Sequence, residues 1–139
     1  MSDRRERFLA YLQRWMPRPF ELGVTDCVSF VGEWVDAECG TKFLPIARER
    51  YTYTTRREAL TQLHAGGYTS MVQEITGVIG ETDPDEFEMG DVGMFQNDTA
   101  RDVLGLIGER LIYAPATNGL IAVDVQRTQR VWKLSWLTP

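Results

Sequence analysis

Apolar residues recur at helical spacing in the first third of this chain and in short alternating runs in the last third. Over residues 3–16, Phe8, Leu9, Leu12, Trp15 and Met16 form one stripe, with Arg and Glu on the opposite face, which predicts an amphipathic helix. Pro17 and Pro19 end it. A loop over residues 20–25 leads to a second helix from Cys27 to Cys39. Its inward positions are Val28, Phe30, Val31, Trp34 and Val35; Glu33, Asp36 and Glu38 are its solvent side, and Gly40 stops it. Residues 42–54 read as irregular, with Tyr51 and Tyr53 over the core. A third helix is expected from Thr55, with Glu58 completing a capping box; it turns Ala59, Leu60 and Leu63 inward and ends at Gly66-Gly67. A fourth runs from Ser70, paired with Gln73, to Gly77.

After Glu81 the period changes. Residues 82–90 form an acidic loop containing Pro84. Five β-type runs follow, at residues 91–96, 103–108, 110–114, 120–125 and 130–134. Asn97-Asp98, Gly108-Glu109 and Asn118-Gly119 are the turns between them. Helices first and antiparallel strands after predict an α+β fold, with N-terminal helices packed on a C-terminal sheet of about five strands. No repeat or linker divides the chain. It reads as one domain: an N-terminal helix (1–18), a helical part (19–80), a sheet (90–134) and an apolar tail (135–139).

At 139 residues, with four Trp, six Phe and five Tyr, the chain can bury a sizeable core. A net charge of −5 without a dense basic face argues against nucleic-acid binding. No apolar run approaches the roughly 20 residues of a membrane span, and no signal peptide is expected ahead of the fold. The arginines of the first helix read as a solvated face, with docking to an acidic partner as the second reading. The apolar end from Leu134 to Pro139 is either folded back or offered to a partner, and the sequence leans to the partner.

Candidate chemistry centres on Asp26-Cys27. Asp26 suits the N-cap of the second helix, a role favoured over that of a catalytic acid. Cys27 would then stand at the first helical position, where unpaired amides favour a thiolate. Cys27 and Cys39, twelve residues apart on one helix, would lie ~18 Å from each other, so no disulfide is expected. The single histidine, His64, is the only imidazole available as a base and is expected instead to pack at a helix C-terminus. One histidine and two separated cysteines do not make a zinc site, and the acidic loop lacks calcium-loop spacing. No metal or other cofactor is expected.

The order of these features resembles the NlpC-type cysteine peptidases, and within them a small branch of tailed phages, prophages and gene-transfer particles. Gly23, Asp26, Cys27, Phe30, Trp34 and Val35 match the opening pattern. Gly90-Asp91-Val92, then Gly119-Leu120 and Trp132, match the later ones. The resemblance covers roughly residues 19–134 and implies a papain-like fold. It also implies that the strand after the Gly-Asp-Val turn should begin with a catalytic histidine. Here the matching segment is Val103-Leu104-Gly105-Leu106, so Val103 takes that place. Valine moves no proton, and Asp102 beside a thiol would oppose thiolate formation. Asp91 is expected to hold backbone geometry.

Three readings of Cys27 stay open: a buried residue inherited from an active ancestor, an unassisted nucleophile, or a nucleophile completed by another subunit. The first makes the chain a structural subunit of a phage-type tail, near its tip or baseplate. It would be synthesised in the host cytoplasm and carried in the virion, with other tail proteins as partners. The rival is a tail-borne peptidoglycan peptidase or amidase with Cys27 as nucleophile. A third reading is a module that binds the cell wall without cutting it.

Overall fold

The computed structural model describes residues 3–18, 27–45, 86–98, 102–116 and 118–134, the side chains of Cys27 and Asp102 aside. Helix α1 (Arg4–Trp15) begins where Asp3 accepts the Glu6 N–H at 2.8 Å. Helix α2 (Cys27–Cys39) closes at Gly40, whose φ of 67° admits the left-handed turn and whose N–H reaches the Asp36 carbonyl at 2.9 Å. The strands are β1 (Val92–Gln96), β2 (Asp102–Ile107), β3 (Leu111–Ala116), β4 (Gly119–Asp124) and β5 (Thr128–Trp132). They form one antiparallel sheet in the order β4-β3-β2-β1-β5. The α+β architecture and all five strands agree with the sequence pattern, with ends shifted by one or two residues.

Strand alternation divides the sheet into two faces. Val92, Met94, Leu104, Leu106 and Trp132 join Phe8, Tyr11, Leu12, Trp15, Phe30, Val31, Trp34 and Val35 in one core between the helices and the sheet. Phe95, Ile107, Ile112, Ala114 and Val131 form a second cluster, with Val103 packed against it. Gly93 and Gly105, paired across β1 and β2, belong to the second face. A Cβ at Gly93 would lie 2.9 Å from Ile107 and Ile112, and one at Gly105 would collide with the Tyr113 carbonyl, so both positions need a hydrogen there.

Three sequence expectations on the helices need correction. Leu9 and Met16 are exposed, and Tyr11 takes the inward place. Tyr11 is admitted because its hydroxyl donates to the Phe30 carbonyl at 2.6 Å while its ring packs on Phe30 and Trp34. Glu38 is not on a solvent side: its side chain is 6% exposed and receives Arg7 at 2.7 Å and Arg4 at 3.4 Å, strapping α1 to α2. Asp36 also turns inward to the chain that follows, accepting from Thr41 Oγ1 and from the backbone N–H groups of Phe43 and Leu44. It thereby caps a helical turn at residues 43–45, where an irregular segment was expected. Gly32 gives that turn room, because a Cβ there would lie 3.0 Å from Leu44.

The remaining described arginines of α1, and Arg18 just beyond it, are also engaged. Arg5 pairs with Glu109, Arg14 lies over the Tyr11 ring, and Arg18 lies over Trp15. The expected helices after Thr55 and Ser70, with Tyr51, Tyr53 and the first part of the acidic loop, lie outside the described residues. Among the described residues no helix is long and apolar enough to cross a membrane.

Candidate functional site

Among the described residues, the helix that carries Cys27 is tied to the sheet through its C-terminal half. Trp34 donates its indole N–H to the Gly90 carbonyl at 2.9 Å. Gly90 has φ 94° and stands against the Trp34 ring, so a side chain at 90 would meet both backbone strain and the indole. The Gly90 N–H reaches the Ile107 carbonyl at 2.7 Å, and the Ile107 N–H returns to the Asp91 carbonyl at 2.8 Å. The Gly-Asp-Val turn is thus stitched to the end of β2 and capped by α2.

Asp91 completes this node. Its carboxylate is buried and accepts the Leu134 N–H at 3.0 Å and the Glu88 N–H at 2.8 Å, with Lys133 Nζ 3.9 Å away. Burial pushes its pKa up; the two backbone donors and Lys133 oppose that without cancelling it. Its role is structural: it supplies acceptors to two backbone donors, as expected of the turn. Leu134 is held on both sides, because the Cys39 thiol donates to its carbonyl at 3.5 Å. Leu134 is therefore part of the core, which corrects the leaning toward a partner for this residue. Residues 135–139 lie outside the described residues.

At the thiol end, α2 begins at Cys27, as the sequence predicts. Its side chain, Asp26, Gly23 and His64 lie outside the described residues. Position 102 opens β2 opposite Gln96. Val103 pairs with Phe95 and packs in the cluster on the sheet face away from α2. The pleat of β2 thus puts Val103, which takes the place of the family's histidine, on the sheet face opposite the helix-side core. The described residues of β2 that do face α2 are Leu104 and Leu106, both fully buried. Neither can carry a proton.

The other buried groups with chemistry are already committed. Tyr11 is held neutral, with its pKa raised by burial, and spends its hydroxyl on Phe30. Glu38 is held charged, with its pKa lowered chiefly by its hydrogen bond to Arg7. Cys39 is a buried thiol that donates to the Leu134 carbonyl. Among the described residues no group of three or more His, Cys, Asp or Glu side chains could hold a metal ion.

Sequence reading missed the Glu38 strap and the Asp36 cap. Arg4 and Arg7, three apart on one helix face, and the Asp36-to-Thr41 spacing are signals that could have suggested them. Gly119, part of the resemblance motif, has a physical explanation. Its φ is 123°, and a Cβ there would strike the Met16 carbonyl, which also receives the Leu120 N–H at 3.4 Å. The motif thus docks β4 on the end of α1.

Comparison with curated proteins gives no match. A family model does match, over residues 1–134, and by that match the chain belongs to the family described as "Domain of unknown function (DUF6950)".

Proposed function

We propose that this chain is a structural subunit of a phage-type tail, in the tip or baseplate region, built on a papain-like fold that no longer performs peptidase chemistry. The NlpC-like order of motifs supports the papain-like assignment: a helix opening at Cys27, Trp34 on the Gly90-Asp91 turn, Gly119 against α1 and Trp132 in the last strand. The observation that carries the loss of chemistry is Val103 at the position where the NlpC-type pattern has its histidine, with the described α2-facing residues of β2, Leu104 and Leu106, apolar as well. The contacts of Trp34, Gly90 and Asp91 are those of a scaffold. On this reading the neighbours are other tail proteins and the protein resides in the virion.

The test is genetic and structural. Deleting the coding sequence from a particle-producing genome should abolish tail assembly, whereas Cys27→Ala should leave assembly and infection intact. Normal tails in the deletion would overturn the structural role. Tails that assemble with Cys27→Ala but fail to infect would favour the enzymatic rival.

A further inference from the structure

Asn118-Gly119 is the only Asn-Gly step in the chain, and it lies where β3 turns into β4. Asn118 is exposed to water, whereas Gly119 is buried. Such a step carries its own chemistry. The glycine amide nitrogen, having lost its proton to water, attacks the asparagine Cγ. The bond from Cγ to the side-chain nitrogen breaks, ammonia leaves, and a cyclic imide forms. Water then opens the ring at either carbonyl and leaves aspartate or isoaspartate. Glycine favours the attack because no side chain shields its nitrogen. Water is the only co-reactant.

The fold ties down that nitrogen. Ala116 and Gly119 are opposed as the pair that closes the β3–β4 hairpin. Gly108 donates to the Leu111 carbonyl at 2.7 Å, so Leu111 turns its backbone groups to β2, and alternation along β3 turns those of Ala116 to β4. The Gly119 N–H is therefore spent on the Ala116 carbonyl. To attack, the nitrogen must release that proton and swing toward Cγ, which breaks the bond. The end of α1 opposes the swing a second time. Gly119 holds φ 123° with the Met16 carbonyl where a Cβ would stand, and the Leu120 N–H reaches the same carbonyl at 3.4 Å.

We propose that Asn118-Gly119 is a self-modification site gated by the docking of β4 on α1. While β4 is docked, the asparagine persists. When this corner opens, the nitrogen is released, the imide forms and its hydrolysis yields isoaspartate. The main chain of isoaspartate runs through the side-chain Cβ, so the turn grows longer by a methylene. The longer turn no longer sets Gly119 against Met16, and the converted chain stays undocked there. The reaction also turns a neutral amide into a carboxylate. It is an irreversible record of each opening of this corner.

The experiment follows conversion of the purified chain at mildly alkaline pH, folded and in denaturant. Peptide mapping with fragment-ion mass spectrometry reads isoaspartate at position 118. Conversion should be at least ~tenfold slower in the folded chain, because reaction there waits for local opening. Asn118→Gln should remove the signal in both conditions, since its longer side chain closes an imide far less readily. Hydrogen exchange at the Leu120 amide should be at least ~tenfold faster after conversion than before it. Equal conversion rates in the folded and unfolded chain overturn the gate. Unchanged Leu120 protection after conversion overturns the undocking. An unfolded chain that does not convert, or a signal that persists in Asn118→Gln, overturns the site itself.

Discussion

The two ends of α2 carry the two halves of one motif, and they differ in what the described residues build around them. At the C-terminal end, Trp34, Gly90, Asp91, Cys39 and Leu134 form a continuous set of hydrogen bonds between helix, turn and the last strand's exit. At the N-terminal end the helix opens with Cys27, and the described β2 positions turned toward α2 are leucines. In a working thiol protease both halves are needed, one to set the fold and one to move protons. On the proposed reading, residues that position a nucleophile in such enzymes are retained here for folding.

The largest expected effect is at the bonded end. Asp91→Ala leaves two buried backbone donors without acceptors and should cost ~2–4 kcal/mol in denaturant unfolding. A change below ~1 kcal/mol would mean that water or another group replaces the carboxylate. Trp34→Phe keeps the ring contact with Phe8 and Tyr11 but orphans the Gly90 carbonyl, with an expected loss of ~1–2 kcal/mol. Equal stability of Trp34→Phe and wild type would remove the indole bond from the account.

Acid should separate the two carboxylates. Glu38 has a lowered pKa, so its contribution is complete above the ordinary glutamate value and is lost as pH falls through the lowered one. Asp91 has a raised pKa, so the fold favours its protonated form; that contribution is present below the ordinary aspartate value and is lost as pH rises through the raised one. Thermal unfolding of Glu38→Gln across the acid range should therefore show a weaker loss of stability on acidification than wild type. An unchanged pH slope would show that the α1–α2 strap contributes nothing.

The smallest expected effect sharpens the comparison at the thiol end. Val103→His should leave the pH profile of Cys27 alkylation where it was, because position 103 packs on the far face with Phe95. A profile shifted to lower pH would place the new imidazole beside the thiol and restore the simple motif alignment.

Much of this was legible in the sequence, for identifiable reasons. Strands with turn residues between them and a helix ending at Gly40 follow from local periodicity and backbone preference. The Glu38 strap and the inward turn of Tyr11 depend on partners far along the chain, and the Asp36 cap on the path of the segment just after its helix. Hydropathy classes such residues as solvent-facing until their partners are known. At the candidate site, the helix start at Cys27 and the structural role of Asp91 could be read directly. The direction of Val103 could not: it is set by the pleat of β2 against β1, and a one-residue shift in register moves a side chain to the other face.

The most direct test of the central claim, that the fold survives without the chemistry, is digestion of purified peptidoglycan followed by mass spectrometry of the soluble products. Wild-type protein is expected to release no more stem-peptide fragment than Cys27→Ala. Release by wild type that Cys27→Ala abolishes would contradict the account.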